Sequence, residues 1–371
     1  MKPWHRLRFA LFLSLGLLPV DVLVSYVRAR VPESVPGEYG LFGPAGAALL
    51  RGDFSQVLSN PGTQAGPFEL APYGVAHLLR VHGTIGWTVF YVVLIFLVCV
   101  AFFTIALLPL SRLDGRLVLY GSIGVALFAI LGSVLSTAVL LGHPADVLIP
   151  ALWVAAGVFA RRDRAVLCAL LIGLSVGFEV WGILGAPIIL LAPAPRLVRS
   201  AIAAVVVVVV LYAPLLIAGH FATFAFKWMV SRSTLWGVAF PGLADFPWPL
   251  RVVQAALAVA VGLVVTLLLR DRVAVIWLVP FAIIAVRLLL DPLLLDYYWV
   301  SAAAVGLLAV LAGVARREWM LAVSGLIVAV AAQFAPSLPL ATAILYVAIA
   351  IAATIVLRVR RLGLRADAGL A

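Results

Sequence analysis

Almost nothing in this chain can face water. From Phe9 onward, long apolar stretches follow one another. What interrupts them is short and rich in arginine: SRLDGR at 111–116, RRDR at 161–164, APAPRLVR at 192–199, RDR at 270–272, RR at 316–317 and RVRRLGLR at 358–365. Hydrophobic residues make up 65% of the 371 positions and charged residues only 11%, against about 25% charged in a soluble domain. A water-facing surface cannot be built from that composition. The chain reads as an all-α polytopic membrane protein, a single membrane domain over residues 1–371.

The same pattern disposes of two other readings. A net charge of +11 would suggest nucleic acid in a soluble protein. Here the arginines fall in short loops between apolar stretches, where the positive-inside rule puts them on the cytoplasmic side, and no nucleic-acid partner is expected. Cys99 and Cys168 both lie within apolar runs, which argues against a disulfide or a cysteine metal cluster. No phosphate-binding loop, dinucleotide fingerprint or HExxH metal motif is present.

Loop charge sets the expected topology. Lys2, Arg6 and Arg8 precede a first span over Phe9–Val27, so the N-terminus is expected in the cytoplasm and that span is expected to be retained. Residues 28–83 then form a long outer loop. Leu41–Arg51 reads as a short interfacial helix broken at Pro44. Pro67–Arg80 reads as dipping into the membrane or lying along it, because a full crossing there would reverse every later arginine cluster. Further spans are expected over Thr84–Leu108, Leu117–Val134, Val147–Ala160, Ala165–Gly177, Gly182–Leu191 and Ala201–Ala218. A second outer loop over 220–248 precedes the rest, giving about twelve spans with both termini cytoplasmic. The spans between 147 and 191 are too short to cross about 30 Å alone, so their ends must border a cavity or other protein.

Sorting the acids by side is informative. Asp114, Asp163, Asp271, Glu318 and Asp367 sit beside arginines in inner loops, as local charge balance requires. Glu33, Glu38, Asp53, Glu69, Asp146, Glu179, Asp245, Asp291 and Asp296 map to the outer side. Asp146, Glu179 and Asp291 stand at the ends of apolar helices, where an acid is expensive and commonly functional. Their convergence predicts a polar cavity opening outward. Arg287, one turn before Asp291, reads either as half of a helical ion pair or as a phosphate ligand, for which a guanidinium suits. Lys227 and Arg232 fit lipid headgroups or a substrate phosphate. In GHPAD, Asp146 fits a helix N-cap, a hydrogen-bonded pair with His143, or a metal ligand with it. Tyr39, Trp181, Tyr297, Tyr298 and Trp299 fit an interfacial aromatic belt or a wall for stacking sugars.

Four landmarks, taken in order, resemble the integral-membrane GT-C fold glycosyltransferases, especially glycosyltransferase family 87 and within it an actinobacterial branch. They are GEYGLFGPAGAALLRGDF with NPGTQAGPFEL at 37–70, GHPAD at 142–146, FEVWGILGAPIILLAP at 178–193, and LLLDPLLLDYY at 288–298. The resemblance implies a GT-C-like bundle that moves a sugar, mannose in that family, from a polyprenol-phosphate donor to an envelope glycan or glycolipid. It implies no cofactor and no metal. It also implies an acidic base in the first outer loop. Glu38 matches that position, where the family usually carries Asp, and Asp53 is the runner-up. Tyr39, Gln64, His143, Asp146, Glu179, Trp181, Arg287, Asp291, Tyr297 and Tyr298 would bind substrate, with Arg287, Lys227 and Arg232 on the phosphate. At Glu179 the wider family often carries Lys or Gln. The other functional classes open to such a chain are a transporter or flippase of lipid-linked substrates, and a non-catalytic GT-C relative.

Overall fold

The fold is that of a computed structural model, which describes residues 3–29, 38–108, 115–132, 134–270, 275–293, 295 and 297–334. Glu33, Asp296, the twelfth expected span and the basic tail lie outside the described residues. The described residues are helical almost throughout. Four helices are long and apolar enough to cross a membrane: α5 (Gly83–Leu107), α10 (Leu197–Ala218, with the turn before it), α12 (Trp248–Leu269) and α14 (Tyr298–Arg316). A fifth crossing is available if α6 (Gly115–Leu131) and α7 (Val134–Leu140), bent by 48°, act as one span. The protein is a multi-pass membrane protein.

The core lies around α14, whose side chains are buried on every face. An apolar helix without a polar side belongs inside a bundle. α15 (Trp319–Phe334), α13 (Val275–Leu289), α8 (Ala145–Arg161) and α6 pack round it. α8 is also buried along nearly its whole length. α10 and α12 lie further out, with most of their apolar surface exposed. That exposed band is what lipid would cover.

Three local expectations are corrected. The stretch over 182–191 is not an α-helix. It forms a 3₁₀ helix over Val180–Leu191. Gly182, Gly185 and Pro187 weaken the α form, and the buried Trp153 Nε1 donates to the Gly182 carbonyl at 3.2 Å. Twelve residues at about 2.0 Å each reach about 24 Å, against about 18 Å for an α-helix, so the tighter coil lengthens a short segment. The span expected over 117–134 instead ends at Leu131 and resumes after a bend as α7. Within the outer loop, α2 (Tyr39–Arg51) is not broken at Pro44; it runs through, at the cost of one backbone hydrogen bond.

Packing holds α2 in place. It lies against α4 (Pro67–Leu78), and the helices meet where Gly46 faces Gly74. A Cβ on Gly46 would stand 2.1 Å from the Leu70 carbonyl oxygen. Only a bare backbone fits. α3 (Phe54–Val57) links the pair, and α1 (Pro3–Ala29) packs on α5. The second outer loop is more ordered than its sequence suggests. It carries α11 (Leu235–Ala239) and a two-stranded antiparallel sheet, β1 (Trp228–Met229) with β2 (Asp245–Phe246). Apart from an isolated bridge between Ala65 and Glu179, that sheet is the only β-structure among the described residues.

Candidate functional site

The site begins with a break. α9 (Ala165–Phe178) ends at Glu179, which is extended at φ −147° and ψ 151°. Its backbone bridges to Ala65, and Gly66 N–H donates to the Phe178 carbonyl at 2.6 Å. The first outer loop is thereby stitched to the end of α9. The Glu179 side chain accepts a hydrogen bond from Trp181 Nε1.

His143 sits in the turn between α7 and α8. Gly142 beside it has φ +94°, and a Cβ there would stand 2.8 Å from the Glu38 Cβ. Glycine at 142 therefore lets α2 bring Glu38 up to the histidine. His143 Nε2 lies 3.7 Å from Glu38 Oε1, and Nδ1 lies 3.8 Å from Glu69 Oε1 and 3.6 Å from Glu179 Oε1. These are ion-pair separations, longer than hydrogen bonds. The His143 ring also stacks on Tyr297, 4.0 Å between centroids and 10° between planes. Burial pulls the imidazole pKa down, but Glu179, Glu38 and Glu69 outweigh it and hold the pKa well above the usual histidine range. Glu69, in the first turn of a helix too short to span, is pushed well above the usual carboxylate range, first by complete burial and then by the charge of Glu179.

The opposite wall carries cations. Arg287, in the last turn of α13, pairs with Asp146 at 3.5 Å and lies under the Trp181 and Tyr298 rings, 4.3 and 5.0 Å from their centroids. Ser301 on α14 donates to the same Asp146 oxygen at 2.7 Å. Arg251, in the first turn of α12, pairs with Asp291 at 2.7 Å and lies 4.2 Å from the centroid of the Trp228 ring. Gln254 joins the two arginines, accepting from Arg251 and donating to the Arg287 carbonyl, each at 2.7 Å.

A cavity of about 310 Å³ lies between these walls, lined by Glu38, Gln64, His143, Glu179, Trp181, Trp228, Arg251, Arg287, Tyr297 and Tyr298 among others. That volume is at the small end of the range for ligand sites, about 300–1,000 Å³.

Eight of the sequence-derived residues thus share one cavity: Glu38, Gln64, His143, Glu179, Trp181, Arg287, Tyr297 and Tyr298. Asp146 and Asp291 stand behind it, almost wholly buried, each neutralising a lining arginine. The rest fall elsewhere. Asp53 is exposed and accepts from Ser55. Tyr39 packs on Trp87, with its hydroxyl 3.4 Å from His77 Nδ1. Lys227 and Arg232 are exposed and do not line the cavity.

Two pairings read from spacing are corrected. Arg287 pairs with Asp146 in place of Asp291 one turn away. Asp146 turns to Ser301 and Arg287, acting neither as an N-cap nor as the partner of His143. The ligand-type atoms that do gather round His143 belong to Glu69 and Glu179, all within 4.8 Å of one another.

Sequence reasoning assigned no role to Glu69, Arg251, Gln254, Ser301 or Trp228. Two of them carried a signal. Glu69 is an acid inside an apolar twelve-residue helix, and Arg251 puts a cation in the first turn of a helix, where the macrodipole disfavours it. Comparison with protein-family models, curated proteins and solved structures returns no match.

Proposed function

We propose that this chain is a GT-C-type glycosyltransferase that moves a sugar, mannose in the first instance, from a polyprenol-phosphate donor to an envelope glycan or glycolipid. In this reading it has about twelve spans and cytoplasmic termini, and it works at the outer face of the plasma membrane. The observation that carries it is the shared cavity. A carboxylate, Glu38, with 34% of its side chain exposed, and two guanidiniums, Arg287 and Arg251, open into one aromatic-walled space among membrane helices. Arg287 lines the cavity, with its Nη1 held by Asp146 at 3.5 Å, and a guanidinium has further N–H donors that suit a phosphate oxygen.

The chemistry follows from those groups. Glu38 accepts the proton of the acceptor hydroxyl as that oxygen attacks the anomeric carbon. The bond from that carbon to the phosphate oxygen breaks, and the lipid phosphate leaves as an anion against Arg287 and Arg251. It leaves already charged and needs no protonation. Trp181, Tyr297 and Tyr298 offer apolar faces with polar edges to the sugar. Lys227 and Arg232 have no part in this cavity, and Arg251 takes the phosphate role assigned to them.

The test is transfer of radiolabel from polyprenol-phosphate-mannose to lipomannan-like acceptors by the purified full chain. Loss of transfer in Glu38→Ala, with the melting temperature retained, supports the reading. Undiminished transfer in that variant rejects the base. Flux of lipid-linked sugar across liposomes without product would mark a transporter or flippase. Donor binding without turnover would mark a non-catalytic relative.

A further inference from the structure

Behind the proposed sugar site lies a grouping that the transfer chemistry does not use. Glu69, His143 and Glu179 come from α4, the turn before α8 and the break after α9, and all three are buried. Glu69 is 0% exposed. Neither of its oxygens and neither nitrogen of His143 has a hydrogen-bond partner. A buried polar group left unsatisfied is costly, and native structures rarely carry such groups without a partner. The orphaned Glu69 oxygens and His143 Nδ1, which face one another, call for a ligand between them.

Charge says which kind. Burial and the charge of Glu179 oppose ionisation of Glu69 in the bare cluster, and a divalent cation would supply the positive charge that lets both carboxylates ionise. Geometry agrees. A tetrahedral ion with bonds of about 2.0–2.1 Å spaces its ligand atoms about 3.3 Å apart. Here His143 Nδ1 is 3.8 and 3.6 Å from the two carboxylate oxygens, and all three ligand atoms lie within 4.8 Å of one another, a cage that must tighten to close on an ion.

The surroundings are those of a metal ligand set. A ligating histidine generally gives its other N–H to a carboxylate, and His143 Nε2 faces Glu38 Oε1 at 3.7 Å. Trp181 Nε1 occupies Glu179 Oε2 and leaves Oε1 toward the histidine. His143 and Glu179 line the cavity while Glu69 is sealed behind them. A fourth coordination position would therefore face the cavity, the open arrangement of a catalytic site and not the closed one of a structural site.

We propose that Glu69, His143 and Glu179 hold a divalent transition-metal ion of the zinc or manganese class, with an open position toward the cavity. Mixed imidazole and carboxylate ligands suit those ions. The proposal stands apart from sugar transfer, because its readout is bound metal. The full chain, purified in detergent and stripped with chelator, is titrated with zinc chloride or manganese chloride by calorimetry, and retained metal is counted by mass spectrometry after desalting. About one equivalent per chain is expected, with affinity lowered more than about 10-fold in Glu69→Gln and His143→Gln, since losing even an outer partner of a ligand costs about that much. Glu179→Gln, at a side chain that reaches the cavity and is easier to accommodate, is expected to fall by a similar factor. Asp53→Ala is expected to bind like wild type. Failure of the stripped wild type to bind either ion overturns the proposal, and so does undiminished, wild-type affinity in all three cluster variants.

Discussion

Arg287 lies 3.5 Å from Asp146 and leaves Asp291, one turn further along its own chain segment, to Arg251 at 2.7 Å. The exchange ties α13 to α8 and the Asp291 turn to α12. One ion pair that would have been local gives way to two that tie together four places in the bundle. It also turns both guanidiniums toward the same cavity, with Gln254 as the link between them.

The first prediction tests that stitching. Asp146 is 1% exposed and meets both Arg287 and Ser301. Asp146→Ala strands a buried guanidinium and should cost about 3–5 kcal/mol, while Ser301→Ala should cost about 1–3 kcal/mol by orphaning part of the carboxylate. Because the two residues share one hydrogen bond, the double variant should be less destabilised than the sum, by about 0.5–3 kcal/mol. Chemical unfolding in detergent micelles measures all three, and strict additivity would show that the bond is not formed.

The second concerns the helix crossing that carries Glu38 and Glu69. A Cβ at Gly46 would press to within 2.1 Å of the Leu70 carbonyl. Gly46→Ala should therefore destabilise by about 1–3 kcal/mol, as overpacking does. Gly40, with nothing within 4 Å of its Cβ position, is the control. Gly40→Ala should leave the melting temperature unchanged or raise it slightly, since alanine is the better helix former. Equal melting curves for the two variants would remove the crossing as a determinant of the site.

The third separates the cavity from its rim. Glu38→Ala should lower transfer about 10²- to 10⁴-fold, the usual worth of a positioned general base. Arg287→Ala should lower it about 10²- to 10³-fold through lost stabilisation of the leaving phosphate. Asp53→Ala, Lys227→Ala and Arg232→Ala, all at exposed side chains outside the cavity, should stay within about threefold of wild type, because surface substitutions usually change energies by no more than about 0.5 kcal/mol. Initial rates at saturating donor decide it. A large loss at Asp53 would move the base to the runner-up.

The fourth uses pH on the chelator-treated, metal-free chain. His143 has a folded pKa well above its ordinary value, because three glutamates favour its charged form. A raised pKa means that the folded state holds its proton more tightly than the unfolded state. The stability this provides is fully present below the unfolded histidine pKa and is lost as pH rises through the folded one. Glu69, also raised, acts with the same sign, since ionising it in place is unfavourable. The melting temperature should therefore fall toward alkaline pH, and His143→Gln should flatten the slope. A slope unchanged by that substitution would show that the histidine is neutral throughout.

Much of the fold was legible because the membrane imposes residue-by-residue rules. The α5 span expected over 84–108 forms over 83–107, and α9, expected over 165–177, forms over 165–178. Apolar length alone sets such boundaries. The 3₁₀ helix was only half legible: Gly182, Gly185 and Pro187 are visible in the sequence, but the hydrogen bond from Trp153 comes from another helix. Much of the site was legible too, since acids and arginines at the ends of apolar helices are few and costly. Glu69 was passed over because its neighbours in sequence are apolar, while the groups that give it meaning, His143 and Glu179, lie on other elements.

By itself, then, the sequence determined that this protein lives in a membrane, where its helices run, and which ionisable side chains stand at their ends. These follow from local cost: backbone and charge cannot be left bare in hydrocarbon. Only the tertiary structure decided which charge meets which. A buried carboxylate pairs with the cation that packing delivers to within a few ångströms, and Gly46, Gly74 and Gly142, by letting backbones close up, set that delivery. Hence Arg287 went to Asp146, Arg251 to Asp291, and three glutamates to His143.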